Sequence, residues 1–573
     1  MAADILMPIT NFNLKDYQHT YDNFSWDEVA QNFSWHTTGK VNMAYEAIDK
    51  HVEQGNGKKI ALHFTSGNRT ETYTYLNIMK NSNKMANILT QDAGVERGDH
   101  VFIFMPRGPE MIFSMLGIMK AGAVCAPMFE AFMESAVRER LLNGKGKVLI
   151  TTMPMLSRIP MDELPDLETV YIVNSSAVHE DPRIRSLTPL YETASDTFDV
   201  CWMEDDEPML LCYTSGSTGN PKGILHTHKG IMTQAYQTGK WVLDLKQDDV
   251  YWCTADPGWI TGAVYGFLTP WLHGVEAIMF GGRFNAEAWL KTMQDYRVTI
   301  WYSAPTVFRL FMGLDPAVIK KYDTSSLRNI YSVGEPLNPE AIRWGMREFG
   351  LRIHDTWFMT ETGGQMICNY PSMPIKLGSM GKPFPGVEAV ILDDKGNQLG
   401  PNQMGTLAIR AGWPSMMVGV WGSESKYQSY FENGWYISGD TAYYDEDGYF
   451  FYQGRIDDVI NTSGERVGPF EVESKLLEHR AVAESGVIGK PDATRGEIIK
   501  AFVVLTPGYE PTEELQKELR DFVKLGLAAH AAPREFQFCD TLPKTRSGKI
   551  MRRVLKAMEL GLPVGDLSTM ADD

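Results

Sequence analysis

The stretch Met209-Leu210-Leu211-Cys212-Tyr213-Thr214-Ser215-Gly216-Ser217-Thr218-Gly219-Asn220-Pro221-Lys222-Gly223 decides how this chain of 573 residues is to be understood. Met209 to Tyr213 is a short apolar run that suits a buried strand. Thr214 to Gly223 then reads as a loop of hydroxyls, glycines and one lysine. Thr214, Ser215, Ser217 and Thr218 supply hydroxyl donors, and Lys222 adds positive charge. Gly216 and Gly219 let backbone N–H groups approach a ligand closely. A strand running into such a loop makes a phosphate cradle from backbone dipoles. No Gly-Lys-Ser/Thr follows at the P-loop spacing and no G-x-G-x-x-G occurs here, so those two nucleotide motifs are excluded. Gly/Ser/Thr runs are also common in flexible linkers. A linker does not normally follow a buried strand or end in Pro-Lys-Gly.

The length implies more than one domain. With 54 basic against 72 acidic residues the net charge is −18, which argues against general nucleic-acid binding. Polyanions must then be met by local positive sites such as Lys222. The cysteines Cys125, Cys201, Cys212, Cys253, Cys368 and Cys539 form no C-x-x-C pair, so neither a zinc site nor a disulfide framework is indicated. No basic region followed by an apolar core opens the sequence, and no apolar run approaches about 20 residues. The expectation is a cytoplasmic protein without a membrane partner.

Working outward, Val101 to Met105, Val124 to Pro127 and Val148 to Thr151 read as strands, with helices at Pro109 to Ala121 and Glu134 to Asn143 between them. The alternation returns after the loop: helix Lys229 to Leu243, strand Ala277 to Phe280, helix Glu287 to Tyr296, strand Thr299 to Ser303. Such alternation predicts parallel sheets covered by helices. Residues 1 to about 40 read as an extended arm. From Phe384 to Gln453, short aromatic runs between turns such as Asp445-Glu446-Asp447-Gly448 predict antiparallel β structure. Beyond lie a helix at Pro469 to Glu478, strands at Ser485 to Ile488 and Ile498 to Leu505, and a helix at Glu513 to Leu525. The fold class expected is α/β. A large N-terminal domain (1–454) carries parallel sheets and a small β subdomain, and a small, mobile α+β domain (455–573) follows it.

Four further segments carry chemistry. Gly334-Glu335-Pro336 ends a predicted strand, Asn329 to Val333, where open α/β sheets bind ligands. Asp355-Thr356-Trp357-Phe358-Met359-Thr360-Glu361 offers an aromatic wall and a carboxylate that suits Mg²⁺ held among phosphate oxygens. Asp440, after Ser438-Gly439, is placed to accept two ribose hydroxyls. Pro543-Lys544-Thr545-Arg546-Ser547-Gly548-Lys549 is more constrained than an ordinary solvated charge run.

These segments and the opening loop resemble the signatures of the adenylate-forming superfamily, which includes acyl-CoA synthetases, luciferases and peptide-synthetase adenylation domains. The resemblance runs from Phe33-Ser34-Trp35-His36 to the end. Trp252-Cys253-Thr254-Ala255-Asp256-Pro257-Gly258-Trp259 and Pro469-Phe470-Glu471-Val472-Glu473 fit its acetyl-CoA synthetases of Gram-positive bacterial type. It implies ATP and CoA as substrates, Mg²⁺ as metal, and acetate as the acid, with propionate or other short or branched acids as the alternative. By it, Thr214 to Gly219 and Lys222 hold phosphates, Gly334, Glu335 and Pro336 meet adenine with Asp355, Thr356 and Trp357 beside them, Thr360 also binds the nucleotide, and Glu361 is the metal ligand. Asp440 and Arg455 take the ribose side, Asp457 is the hinge, and Lys549 is the catalytic lysine. Ser463, Gly464, Arg466 and Lys524 are expected at CoA, and Ile260, Thr261, Val333 and Phe358 around the acyl group. Acetate enzymes of the family typically carry Trp where this chain has Phe358. The resemblance also implies a lysine acetyltransferase and deacetylase acting on Lys549.

Overall fold

The computed structural model describes residues 5–7, 11–67, 69–214, 221–462, 465–492, 494–545, 549–564, 567 and 570. The strand expected from the opening motif spans Pro208–Thr214. Its partner is a second strand, Lys222–Thr227, paired antiparallel with Thr214 opposite Lys222 and Tyr213 opposite Gly223. This corrects one expectation: Lys222 and Gly223 belong to a returning strand, not to the loop. The return strand is fixed by a second antiparallel neighbour, Gly419–Val420, nearly 200 positions along the chain.

Among the described residues, these strands edge an eight-stranded sheet. Its interior strands, Val124–Pro127, His100–Phe104, Val148–Thr151 and Thr169–Ile172, run parallel, each residue buried. Burial on both faces is why they read as unbroken apolar runs. A nine-stranded sheet holds Ile300–Ser303, Asn329–Val333 and Ile353–Trp357 as adjacent parallel strands. One hydrophobic core joins the two sheets, from Val101 and Leu210 through Tyr251 and Tyr302 to Val333. Between the last two strands, the helix Pro339–Phe349 starts with an Asn338 side-chain cap and a proline, and stops at left-handed Gly350.

Antiparallel β structure follows as expected. Ala389–Leu392, Gly405–Arg410, Trp435–Tyr444, Phe431–Glu432 and Phe450–Arg455 form one sheet. The C-terminal region builds another around the long hairpin Val482–Asp492 and Gly496–Leu505. Against it lie the helices Pro469–Leu477 and Arg552–Leu560.

The amino-terminal segment is not the extended arm expected. Its strand Ile5–Leu6 pairs with Ile375–Lys376, and short helices follow at Tyr17–Asn23, Trp26–Asn32 and Trp35–Thr38. Asp16 and Ser25 cap the first two through their side chains. Tyr17 and Trp26 donate to the carbonyls of Pro383 and Gly386, at 2.7 and 3.0 Å. Tertiary contact sustains helices too short to persist alone. Among the described residues no helix is long and apolar enough to cross a membrane.

Candidate active site

The parallel strands Asn329–Val333 and Ile353–Trp357 end side by side, with Val333 opposite Thr356. Beyond them opens a cavity of about 130 Å³. Gly334, Glu335, Pro336, Asp355, Thr356, Trp357, Phe358, Asp440, Arg455 and Lys549 all line it. Residues separated by more than 200 positions thus converge at the carboxyl ends of parallel strands, where such sheets bind ligands. Met359 and Phe470, from quoted segments, complete the wall with Leu337, Gly378, Met380 and Tyr452, which were not singled out from the sequence.

Asp440 sits opposite Arg455 on paired strands. Arg455 Nη1 donates to Asp440 Oδ1 and the Trp357 indole N–H donates to Oδ2, both at 3.0 Å. Asp440 is 5% exposed; burial raises its pKa, and Arg455 pulls it back. Gly439 just before it has φ +74°, and a Cβ there would lie 2.9 Å from Arg455 Nη2. Only glycine permits both the left-handed turn and the close arginine. Glu335 accepts from Thr306 and from Arg309, each at 2.7 Å. Asp355 differs: burial raises its pKa to about 7. The Thr356 backbone, the Ser332 hydroxyl and the Leu337 backbone offset the shift only in part, and Oδ1 has no hydrogen-bond partner among the described residues. A buried acceptor without a donor is the feature a nucleobase amino group would satisfy.

Lys549 enters from the C-terminal region. Lys544 and Ile550 bridge antiparallel, and the Lys549 backbone is held by Thr545 through N–H to Oγ1 at 3.0 Å and C=O to N–H at 2.8 Å. Arg552 anchors this turn through two bonds to Glu473, at 2.7 and 2.5 Å. Lys549 lines the cavity and keeps solvent-exposed surface. Desolvation lowers its pKa, and Asp440 and Glu335 pull it back up against Arg455 and Arg552.

Glu361, 7% exposed, marks the far end. The loop that carries it is tied down at several points. The His226 ring meets the Thr360 carbonyl at 2.7 Å, and Trp413 and Ser415 both donate to the Thr362 carbonyl at 2.8 Å. Gly363, at φ +67°, leaves room for the Ser415 carbonyl, which a Cβ would meet at 2.2 Å. Glu361 Oε1 accepts from the Tyr430 hydroxyl at 3.1 Å, while among the described residues Oε2 has no partner. A single buried carboxylate with one open oxygen fits Mg²⁺, which takes one or two carboxylates plus phosphate oxygens and water. No group of three or more His, Cys, Asp or Glu suited to a metal occurs among the described residues. Lys222 lies beside this end, its pKa lowered by burial and then by Lys426.

His226 was missed in the sequence because a lone histidine in an apolar strand has no spacing signature. Burial drives its pKa to about 4 and that of neighbouring His228 to about 3. With folded values below the unfolded one near 6.5, each histidine's contribution is present above pH 6.5 and lost as pH falls toward 4 or 3. Each should cost about 2 kcal/mol by pH 5. His228→Gln is therefore expected to shrink the drop in thermal midpoint between pH 7.5 and 5; an unchanged drop would contradict the linkage.

Of the residues expected around the acyl group, Val333 ends its strand opposite Thr356 and Phe358 lines the cavity just beyond. Ile260 and Thr261 begin the helical segment whose Tyr265 ring meets Phe358 edge-on at 5.3 Å. Thr214 ends its strand opposite Lys222. Asp457 lies in the turn Ile456–Asp458, directly after Arg455. Arg466, expected at CoA, donates instead to Asp394 at 2.8 Å. Lys524 is exposed in the last turn of Glu513–Gly526. Ser215, Gly216, Ser217, Thr218, Gly219, Ser463 and Gly464 lie outside the described residues.

Residues 48–421 match the AMP-binding enzyme family and residues 471–549 the AMP-binding enzyme C-terminal domain. The chain is 59% identical over 561 residues to acetyl-coenzyme A synthetase of Bacillus subtilis (strain 168), covering 98% of both. Its fold matches the crystal structure of Brucella canis acyl-CoA synthetase, with TM-score 0.75, 33% identity, and 96% of this chain and 99% of that one covered. An anthranilate CoA ligase in complex with anthranoyl-AMP gives TM-score 0.83 at 29% identity, with 91% and 98% covered. With the strand-end cavity, these similarities show that the chain belongs to the AMP-binding enzyme family, on its acetyl-coenzyme A synthetase branch.

Proposed function

We propose that this protein is an ATP-dependent acetate–CoA ligase that works through an acetyl-adenylate. The observation that carries this reading is the entry of Lys549 into the cavity shared by Asp440, Arg455 and the Gly334-Glu335-Pro336 turn. Adenine lies against the turn, with its amino group toward Asp355, and the ribose hydroxyls reach Asp440. The phosphates run toward Thr214, Lys222 and Glu361. Glu361 would hold Mg²⁺, which when bound would supply positive charge to the phosphate oxygens. An acetate oxygen attacks the α-phosphorus, the bond to the bridging oxygen breaks, and pyrophosphate leaves with the electron pair. Lys549 faces the charge that develops between carboxylate and α-phosphate.

The arrangement seen suits this first half-reaction. Lys549 lines the cavity, while Arg466 meets Asp394 in an exposed pair that a CoA phosphate would readily displace. The region after Arg455 then turns about Asp457, withdraws Lys549 and brings Ser463, Gly464, Arg466 and Lys524 to the thiol substrate. The thiol attacks the acyl carbon, releasing AMP and acetyl-CoA. Acetylation of Lys549 would remove the charge the first step needs, so an acetyltransferase and deacetylase pair is the regulatory partner this reading includes.

Formation of AMP from ATP and CoA, measured with acids from acetate to butyrate, tests the assignment. Acetate should give the highest kcat/KM, and acid-independent AMP release would contradict it. Phe358 stands over the acyl end of the pocket. Phe358→Trp is expected to lower the propionate-to-acetate ratio of kcat/KM about tenfold, the scale of one methylene in an apolar pocket. An unchanged ratio would remove Phe358 from the acyl wall.

A further inference from the structure

Two ammonium groups meet over one ring at the phosphate end of the site. Lys222, on the return strand, places Nζ 6.0 Å from the centroid of Tyr430. Lys426, on the short helix Glu424–Gln428, places its own Nζ 4.9 Å from the same centroid. The hydroxyl of that ring donates to Glu361 at 3.1 Å. Ser423 caps the helix by accepting from the Lys426 backbone N–H. Glu361, Tyr430, Lys426 and Lys222 thus form a continuous wall drawn from three distant parts of the chain.

Neither lysine has an ion-pair partner among the described residues. Residues 215–220, just before Lys222 in sequence, read Ser-Gly-Ser-Thr-Gly-Asn and include no carboxylate. The chain as a whole carries 72 acidic residues against 54 basic ones, yet it leaves two cations side by side here. Two other charged groups of the cavity are paired, Asp440 with Arg455 and Glu335 with Arg309. Unmatched positive charge next to an open carboxylate oxygen suits a polyanion that arrives with a divalent cation.

We propose that Lys426 is a pyrophosphate-binding residue of the reaction, holding the β- and γ-phosphates together with Lys222 against the Glu361 and Tyr430 wall. The proposal rests on the ligase reading and adds to it a residue outside every motif that suggested that reading. When the α-phosphorus–oxygen bond breaks, the electron pair passes to the oxygen that leaves with the β-phosphate. Lys426 and Lys222 face the charge gathered on that leaving group. In the reverse direction the same pair holds pyrophosphate for attack on the acyl-adenylate.

The test compares wild type, Lys426→Gln and Lys426→Arg in two measurements. In titrations with magnesium pyrophosphate alone, Lys426→Gln should bind at least tenfold more weakly and Lys426→Arg within about threefold of wild type. In acetate-dependent exchange of labelled pyrophosphate into ATP, half-saturation should shift for pyrophosphate and ATP in the same order. Conversion of supplied acetyl-adenylate and CoA to acetyl-CoA should stay within twofold for both variants, which reports an intact fold. Pyrophosphate binding by Lys426→Gln within twofold of wild type overturns the assignment. Wild type that binds pyrophosphate through Lys426 but shows no acetate-dependent exchange overturns the ligase reading and supports the polyphosphate site.

Discussion

Lys549→Ala lowers acetate-dependent pyrophosphate exchange about 10²- to 10³-fold, the loss expected for one preorganised charge at a transition state, and leaves conversion of supplied acetyl-adenylate within about threefold. The asymmetry follows from position. Lys549 is carried by a turn held by Thr545 and anchored through Arg552, outside the sheets that bind nucleotide. Its ammonium stands in the cavity with Asp440 and Glu335, where burial has already lowered its pKa. A carboxylate meeting an α-phosphate supplies the negative charge this ammonium faces. The thiol step needs no cation there. Equal loss of both half-reactions would contradict the assignment. Stoichiometric acetylation of Lys549 should reproduce the alanine phenotype; full exchange activity in such protein would exclude control at this site.

The second large effect is expected at Asp440. Its two oxygens already accept from Arg455 and the Trp357 indole, so the carboxylate is fixed before ribose arrives. Preorganisation reduces the ordering that binding would otherwise require. Asp440→Asn keeps the shape but turns an amide N–H₂ toward one of those donors, and the ribose loses a charged acceptor. Two charge-assisted bonds at about 1.5–3 kcal/mol each predict a KM for ATP raised at least about a hundredfold. Thermal stability should fall less than for Asp440→Ala, which leaves the buried Trp357 indole N–H without its acceptor. A KM within threefold of wild type would place the ribose elsewhere.

Much of this site could be read from sequence because each strand delivers its motif at its own carboxyl end. The apolar run Asn329 to Val333 and the turn Gly334-Glu335-Pro336 are contiguous, so locating the strand located the ligand contact. Trp357 and Asp440 were individually legible, but their hydrogen bond, across 83 positions, was not. Lys426, Tyr430 and His226 carried no signal. Each is a single residue in unremarkable surroundings, and each gains its place only when strands distant in sequence align. The return strand at Lys222 was hidden for the same reason, since one of its neighbours is Gly419–Val420. Arg466 shows a different limit: its residue type suits a CoA phosphate, but its partner here, Asp394, depends on how the regions before and after Arg455 are arranged. The amino-terminal helices had their caps in plain view at Asp16 and Ser25, but lacked the apolar periodicity that identifies longer helices.

The account turns on an oxygen of the acid attacking the α-phosphorus. Turnover of [¹⁸O₂]acetate with ATP and CoA, with mass analysis of AMP and pyrophosphate, follows that oxygen directly. One ¹⁸O should appear in the AMP phosphate for each acetyl-CoA formed, and none in pyrophosphate. Unlabelled AMP alongside labelled pyrophosphate or orthophosphate would contradict it.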